Sequence, residues 1–363
     1  MIRPDPPASA PIAAAGQPAS GTAPSGLSKP VEVAISSRRA AQVAAAVPSS
    51  FSVPQPLVVP AWALRQPPAA DPAAAGFVAG AALTALDQLV RAEPPGAWRQ
   101  RLALNSAVCA CRLAGRGEDH AALRDVWHLR RADDFLSLGP AGAIYGVWRQ
   151  LASWPTSKPV DAEALAEIVD NLGLHWSEPL AAIPQELEKL RQSDDSKPPP
   201  FTAAAIVRHV VTADPQAELL AWWLADLGLA QSLRWPKPVP LLMAQVFAPA
   251  FRAGGGRRNR IRPGEEQFEQ AVCLALAQGA AEACRLAGEI ARRVGRLSQV
   301  VPKLRAKGAG AVIERLLEDD AVPGTLTTKS LSRFAARRLF TRLEALGAVR
   351  ELSGRASFRL YGL

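Results

Sequence analysis

The side chains that could do chemistry in this chain are few, and their spacing argues against most reactions. There are four cysteines and four histidines in 363 residues. Cys109 and Cys111 are separated by one residue, which on a helix sends the two sulfurs about 200° apart, and no second pair lies nearby to complete a metal site. They read as two buried thiols. Cys273 and Cys284 lie eleven residues apart, three turns along one helix face, and read as core packing. Four scattered cysteines make no disulfide framework, which points to a reducing cytoplasm. His120, Arg124 and His128 share a helix face, but the two histidines are about 12 Å apart at 1.5 Å per residue, too far to hold one metal ion. Trp127-His128-Leu129-Arg130-Arg131, followed by Asp133-Asp134, reads as a helix end whose cations meet the macrodipole and then an acidic cap or salt bridge; an acid–base site there is the competing reading. His175 and His209 are isolated. Gly254-Gly255-Gly256 lacks the Gly-Lys-Ser/Thr of a phosphate loop, and no dinucleotide-type glycine pattern opens a helix. The expectation is a protein without catalytic residues, metal or cofactor.

Arginine is the residue type with a pattern. Between Ser332 and Gly347, Ala335, Ala336, Leu339, Leu343 and Leu346 cluster at 100° per residue as a core stripe, and Arg333, Arg337 and Thr341 fall opposite. Arg338 and Arg342 line a flank. Lys329 stands before the helix, and Arg355 and Arg359 lie in the two segments after it. Cations so placed suit a helix reading the major groove of duplex DNA, with the outlying ones on phosphates. Phe334 also points outward, where it could meet a thymine methyl or a protein partner. A merely solvated face is the third reading.

The elements that must position these residues form a compact order. Val312, Ile313, Leu316 and Leu317 mark a short amphipathic helix ending in Glu318-Asp319-Asp320. Pro323-Gly324 turns the chain, Thr325 to Leu331 has room for one helical turn, and Ser332 caps the arginine helix, which Gly347 closes. Ala348–Leu352 and Ser357–Tyr361 alternate as a β-hairpin. That is the order of a winged helix-turn-helix.

Charge isolates this region. The net charge is +9, yet from Phe251 to Leu363 there are 21 Lys+Arg against 11 Asp+Glu, so the whole excess lies in the last third. A basic module on a neutral body suggests a polyanionic partner. Arg257-Arg258-Asn259-Arg260-Ile261-Arg262 either follows a phosphate backbone or is a solvated loop.

Upstream, 48% apolar residues, many of them Ala and Leu, and only 6% aromatic predict a helical body. All nine tryptophans lie between Trp62 and Trp235; the Trp222-Trp223 pair reads as core, with a partner groove as the alternative. Asp71-Pro72 starts a helix with Phe77, Leu83, Leu86 and Val90 as its stripe. Others are expected from Gly96 to Leu113, Asp119 to Arg131, Gly139 to Trp154, after Asp161, from Phe201 to Val211, Pro215 to Ser232 and Leu241 to Phe251, with a long one from about Gly264 to Val300. No unbroken apolar run of membrane-spanning length is expected, and no signal peptide. The fold expected is therefore mainly α: a disordered Ala/Pro-rich tail over 1–55, a multi-helix domain over 56–307 with exposed linkers near 191–200 and 253–263, and a winged-helix domain over 308–363.

Arg-Ala-Glu-Pro-Pro (91–95), Arg-Leu-Ala-Gly-Arg (112–116), Ala-Ala-Leu-Arg-Asp-Val-Trp-His-Leu-Arg (121–130), Pro-Lys-Leu-Arg-Ala-Lys-Gly-Ala-Gly-Ala-Val (302–312) and the run from Ala335 to Leu363 resemble the domain-of-unknown-function 1403 family, alphaproteobacterial and often plasmid-borne proteins. The resemblance covers roughly residues 56–363. It implies a bacterial setting and carries over no catalytic residue. The function expected is a non-enzymatic DNA-binding protein, a transcription regulator or an accessory to replicon maintenance, cytoplasmic and away from membranes. It would bind duplex DNA as a homodimer, because one winged helix reads only a half-site. The alternative is an interaction scaffold that docks a protein on the Phe334 face.

Overall fold

The computed structural model describes residues 58–64, 71–129, 138–193, 197–252, 260–304 and 308–363. The fold is mainly α, with twelve α-helices and one three-stranded sheet among these residues. The expected tail over 1–55, most of the basic loop at 253–263 and the Asp133-Asp134 pair lie outside them.

Local chemistry sets the helix starts. Helices α1 (Pro72–Arg91), α2 (Gly96–Leu113), α3 (His120–His128), α4 (Gly139–Ser153) and α5 (Ala162–Asn171) follow the boundaries expected. Asp71, Asp119 and Asp161 accept from the main-chain N–H groups of Ala74, Ala122 and Ala164 at 3.0, 2.9 and 2.8 Å, filling donors that a helix leaves open at its first turn. Helix α6 (Glu178–Ser193) adds to the helices expected; it carries Pro184 inside it, and burial of Leu180 and Ile183 holds it in place. With α7 (Pro199–Ala213) it narrows the expected 191–200 linker to the residues between them. Helix α8 (Glu218–Ser232) leads to the extended Trp235–Pro240 stretch. The single helix expected over 241–251 is split into α9 (Leu242–Gln245) and a 3₁₀ turn, Pro249–Phe251, since Pro249 cannot continue a helical ladder. The long α10 spans Phe268–Val300.

Helices α1 and α10 pack along each other through small residues, with Ala75, Ala79 and Ala82 on one and Ala280, Ala283 and Ala287 on the other all buried. Phe77 falls outside that stripe; it is 70% exposed and stacks on Trp62 at 5.7 Å. Helix α1 is also long and apolar enough to cross a membrane by length and composition, although Thr84, Asp87 and Gln88 interrupt its apolar run. Six of the nine tryptophans are buried in the body's interior, whereas Trp62 and Trp176 are exposed. Trp98, Trp223 and Trp235 are fully buried and donate to Ala283 O, Val147 O and Asp87 Oδ1 at 2.9, 3.1 and 2.9 Å, so each large side chain is buried without stranding its N–H. Trp222 packs edge-on against Phe251 at 5.6 Å, and the Trp222-Trp223 pair belongs to the core. Cys111, Cys273 and Cys284 are buried, and burial pushes their thiols up to about 11, 12 and 11. Asp226 is fully buried, and its two oxygens take the N–H groups of Leu241 and Leu242 at 3.0 and 3.1 Å.

The last 56 described residues, 308–363, form α11 (Ala309–Glu318), β1 (Val322–Pro323), α12 (Arg333–Ala345), β2 (Arg350–Glu351) and β3 (Leu360–Gly362). The sheet is antiparallel in the order β1-β3-β2, with Val322 opposite Tyr361, Arg350 opposite Gly362 and Glu351 opposite Tyr361. Strand β1 ends at Pro323 and the expected turn follows it, with Leu326 N bonded to Pro323 O at 2.9 Å. The helical turn expected over 325–331 is instead a tight turn, closed by Thr328 and Leu331 through main-chain bonds of 3.0 and 3.2 Å. The Thr328 hydroxyl accepts from Ser330 N there, offering the backbone an alternative to helix.

Candidate nucleic-acid interface

Helix α12 begins at Ser332, whose hydroxyl accepts from Ala335 N at 3.3 Å, and ends at Gly347. Gly347 takes φ +67°, the left-handed conformation that lets Gly347 N reach Glu344 O at 2.8 Å and Ala348 N reach Leu343 O at 2.9 Å. Both caps stand where the residue types put them.

The buried face is turned from the one expected. Ala336, Leu339, Phe340 and Leu343 are buried, whereas Leu346 is 40% exposed and Ala335 is half-buried. Phe340, absent from the expected stripe, stacks on Tyr361 of β3 with ring centroids 4.7 Å apart and planes 12° from parallel. This stack rotates the inward direction by about 40° at 100° per residue. Phe334, 74% exposed, then stands at the centre of the outward face, flanked by Arg337 and Arg338 and followed by Thr341, while Arg333 moves toward an edge.

The cations and the hydroxyl singled out in the sequence divide into groups. Lys329, Arg333, Arg337, Arg338, Thr341 and Arg342 are all exposed, on α12 or just before it. Thr341 Oγ1 donates to Arg337 O at 3.0 Å, and Arg342 Nη2 donates to Lys303 O at 3.3 Å. Arg359 is exposed, and its Nε donates to Arg355 O at 3.0 Å. Arg355 is in a different position from the one expected. Its Nη1 and Nη2 grip Asp125 of α3 at 2.6 Å each, and its Nη2 also donates to Phe358 O at 3.0 Å. A guanidinium so engaged ties the β2–β3 loop to the helical body and is not free for a phosphate.

A buried ionic cluster, which the sequence reading missed, holds this region against the body. Asp320 is fully buried. Its carboxylate accepts from Arg101 Nε, and from Arg124 Nε at 2.6 Å, while Arg101 Nη2 reaches Asp320 O at 3.1 Å and Leu363 O at 3.3 Å. Burial pushes the Arg101 guanidinium down to about 9, with Arg124, Arg350 and Arg293 adding to the effect. Beside it Arg149 makes two bonds to Asp319, at 2.8 and 3.1 Å, with its guanidinium 4.7 Å over the Trp127 ring. His128 Nε2 lies 4.0 Å from Asp319 Oδ1 and has no hydrogen-bond partner among the described residues, and burial pushes its imidazole down to about 4. The shared face of His120, Arg124 and His128 is thus a wall of this cluster: Arg124 neutralises Asp320, and His120 bonds to Asn105 at 3.1 Å. The signal available was the acidic pair at the end of α11, which reads in sequence as a solvated helix end.

Gly96 completes the join. The position its Cβ would occupy is 2.8 Å from Glu318 O, so only glycine lets α2 meet the end of α11 this closely.

These features define a mainly α-helical protein in which a C-terminal helix-and-sheet module is fixed to a helical body by buried ion pairs. The sequence profile described as protein of unknown function (DUF1403) matches residues 45–363, and the chain belongs to that family. No curated protein and no solved structure matches the chain.

Proposed function

We propose that the chain is a non-enzymatic DNA-binding protein, a transcription regulator or a replicon-maintenance accessory, whose C-terminal module works as a winged helix. The observation that carries this reading is the outward face of α12, where Arg337, Arg338 and Thr341 stand exposed with Arg333 and Arg342 at the edges. The connectivity α11-β1-α12-β2-β3 supports it in part: a hairpin follows α12, as in a winged helix, while a tight turn stands where such a fold has a helix before the recognition helix. In this reading Arg337 and Arg338 reach bases, and Lys329, Arg333, Arg342 and Arg359 sit on phosphates. Two copies would read two half-sites, in the cytoplasm.

One observation favours a second reading. Phe334 and Phe358 are 74% and 66% exposed, and large apolar side chains at the centre of a face suit a protein partner.

The test is a fluorescence-anisotropy titration of the full-length chain with mixed-sequence duplex DNA at two salt concentrations, beside Arg333→Ala/Arg342→Ala and Phe334→Ala variants. DNA binding predicts salt-sensitive association whose log–log slope drops by about one for each phosphate left without its cation, and much weaker affinity in the arginine variant. No association at low salt overturns the reading.

A further inference from the structure

A second set of arginines is brought together where α10 meets the module. Arg292, Arg293 and Arg296 share one face near the end of α10, by i, i+3 and i+4 spacing. Strand β2 adds Arg350, which stands opposite Gly362, and Arg101 Nη2 lies 3.2 Å from the position a Cβ of Gly362 would take. Arg296 Nη1 lies 3.4 Å from the corresponding position at Gly347, so the turn that ends α12 rests against α10. Arg292, Arg296 and Arg350 are exposed and Arg293 is half-buried.

Among the described residues none of the four is in an ion pair. The carboxylate on the same face, Glu289, is bound to Arg285 at 2.7 Å. Burial, then Arg350, Arg296 and Arg292, hold the Arg293 guanidinium below its usual range, with Glu289 opposing. Cations at a helix end ordinarily answer the helix dipole from solvent. That accounts for none of the four, because the last turn of α10 holds no basic residue, Arg350 is on a strand and Arg293 is half-buried among like charges. An arrangement that costs folding energy through repulsion is one that a bound anion relieves.

The patch adjoins the α12 flank. Arg342, one turn after Arg338, donates to Lys303 O, and Lys303 lies in the 3₁₀ turn that continues α10. We infer that Arg292, Arg293, Arg296 and Arg350 form a second phosphate-binding surface, which carries the duplex DNA backbone from α12 onto α10. The inference rests on the DNA-binding reading. It assigns the body a part in holding DNA, and it requires a duplex longer than one recognition helix covers.

The experiment measures duplex affinity against salt for the full-length chain, for Arg292→Gln/Arg296→Gln/Arg350→Gln, and for Lys189→Gln/Arg234→Gln/Lys237→Gln, which removes the same charge from exposed positions elsewhere. Arg292→Lys/Arg296→Lys/Arg350→Lys keeps the charge and serves as the folding control. The patch variant is expected to show a log–log slope shallower by about 0.9 unit for each phosphate it no longer neutralises, and to lack the gain in affinity with duplex length, while the other two keep both. If the full-length chain binds and the patch variant matches it in slope and length dependence, the second surface is overturned and the α12 reading stands. If the full-length chain binds no duplex at low salt, both fall.

Discussion

Arg355 and Asp125 meet through two bonds of 2.6 Å, joining the β2–β3 loop to helix α3 across 230 residues of chain. The same guanidinium donates to Phe358 O, so the residue that ties the loop to the body also sets the loop's shape. A loop expected to reach for phosphates is instead braced by the helical domain. The module's position therefore depends on α3, and any partner on the α12 face meets the body as well.

Asp125→Ala should loosen that brace. The pair is about one-third exposed on both sides, so its coupling, read from a double-mutant cycle with Arg355→Ala, is expected at no more than about 1 kcal/mol. The larger effect should be local. Hydrogen exchange at 353–359 is expected to quicken in Asp125→Ala while exchange in α12 stays unchanged. Uniform quickening through the module would show that the pair holds the whole module and not its loop.

Asp320→Ala removes the carboxylate between Arg101 and Arg124 and leaves two guanidinium groups buried without a counter-charge. Such a deletion costs about 3–5 kcal/mol, measurable by urea denaturation. Replacing all three residues, as Arg101→Met/Arg124→Met/Asp320→Leu, should recover much of that stability, because buried ion pairs exchange well for apolar packing. A variant no less stable than the parent after Asp320→Ala alone would mean that water reaches the cluster.

His128 makes stability pH-dependent. Its folded value is about 4 against an ordinary 6.5, so between these the unfolded chain binds the proton and the folded one does not. Stability should thus rise with pH across that window and fall on acidification, by up to about 3 kcal/mol. Asp226, pushed up to about 7 by burial, acts in the opposite sense, its contribution being lost as pH rises from about 4 to 7. The comparison is therefore His128→Leu in an Asp226→Asn background. Denaturation midpoints from pH 4 to 7 should slope upward in the background alone and lie flatter once His128 is gone.

Much of this architecture is legible in the residues. Helix starts follow from Asp71, Asp119, Asp161 and Ser332, because a capping side chain acts on its own first turn and needs nothing distant. What is not legible depends on residues far along the chain. Phe340 enters the core only because Tyr361 is there to stack on, and that stack turns the outward face of α12. Asp319 and Asp320 end a helix in sequence, yet they lie beneath arginines about 170 to 220 positions away. Helix α6 persists through Pro184 because tertiary burial outweighs the missing hydrogen bond. The arginines of α12 were recognisable by type and spacing, whereas Arg350 joins Arg293 only through the sheet register.

Phe358 offers the clearest separation of stability from function. It holds φ +52°, a conformation in which a bulky residue is strained by roughly 1–3 kcal/mol, and it is 66% exposed, so little burial compensates. Glycine adopts this φ freely. Phe358→Gly is therefore expected to leave the folded state as stable as before or up to about 1 kcal/mol more stable, with glycine's added freedom in the unfolded chain offsetting part of the relief. A strained aromatic side chain held out to solvent by Arg355 points to use at a surface. If that surface is the DNA-binding one, the stabilised variant should bind duplex more weakly with its salt slope unchanged, because the ring meets DNA through apolar atoms and neutralises no phosphate. A Phe358→Gly variant that unfolds at lower urea would show instead that the ring packs on the module, and that its φ is the cost of that packing.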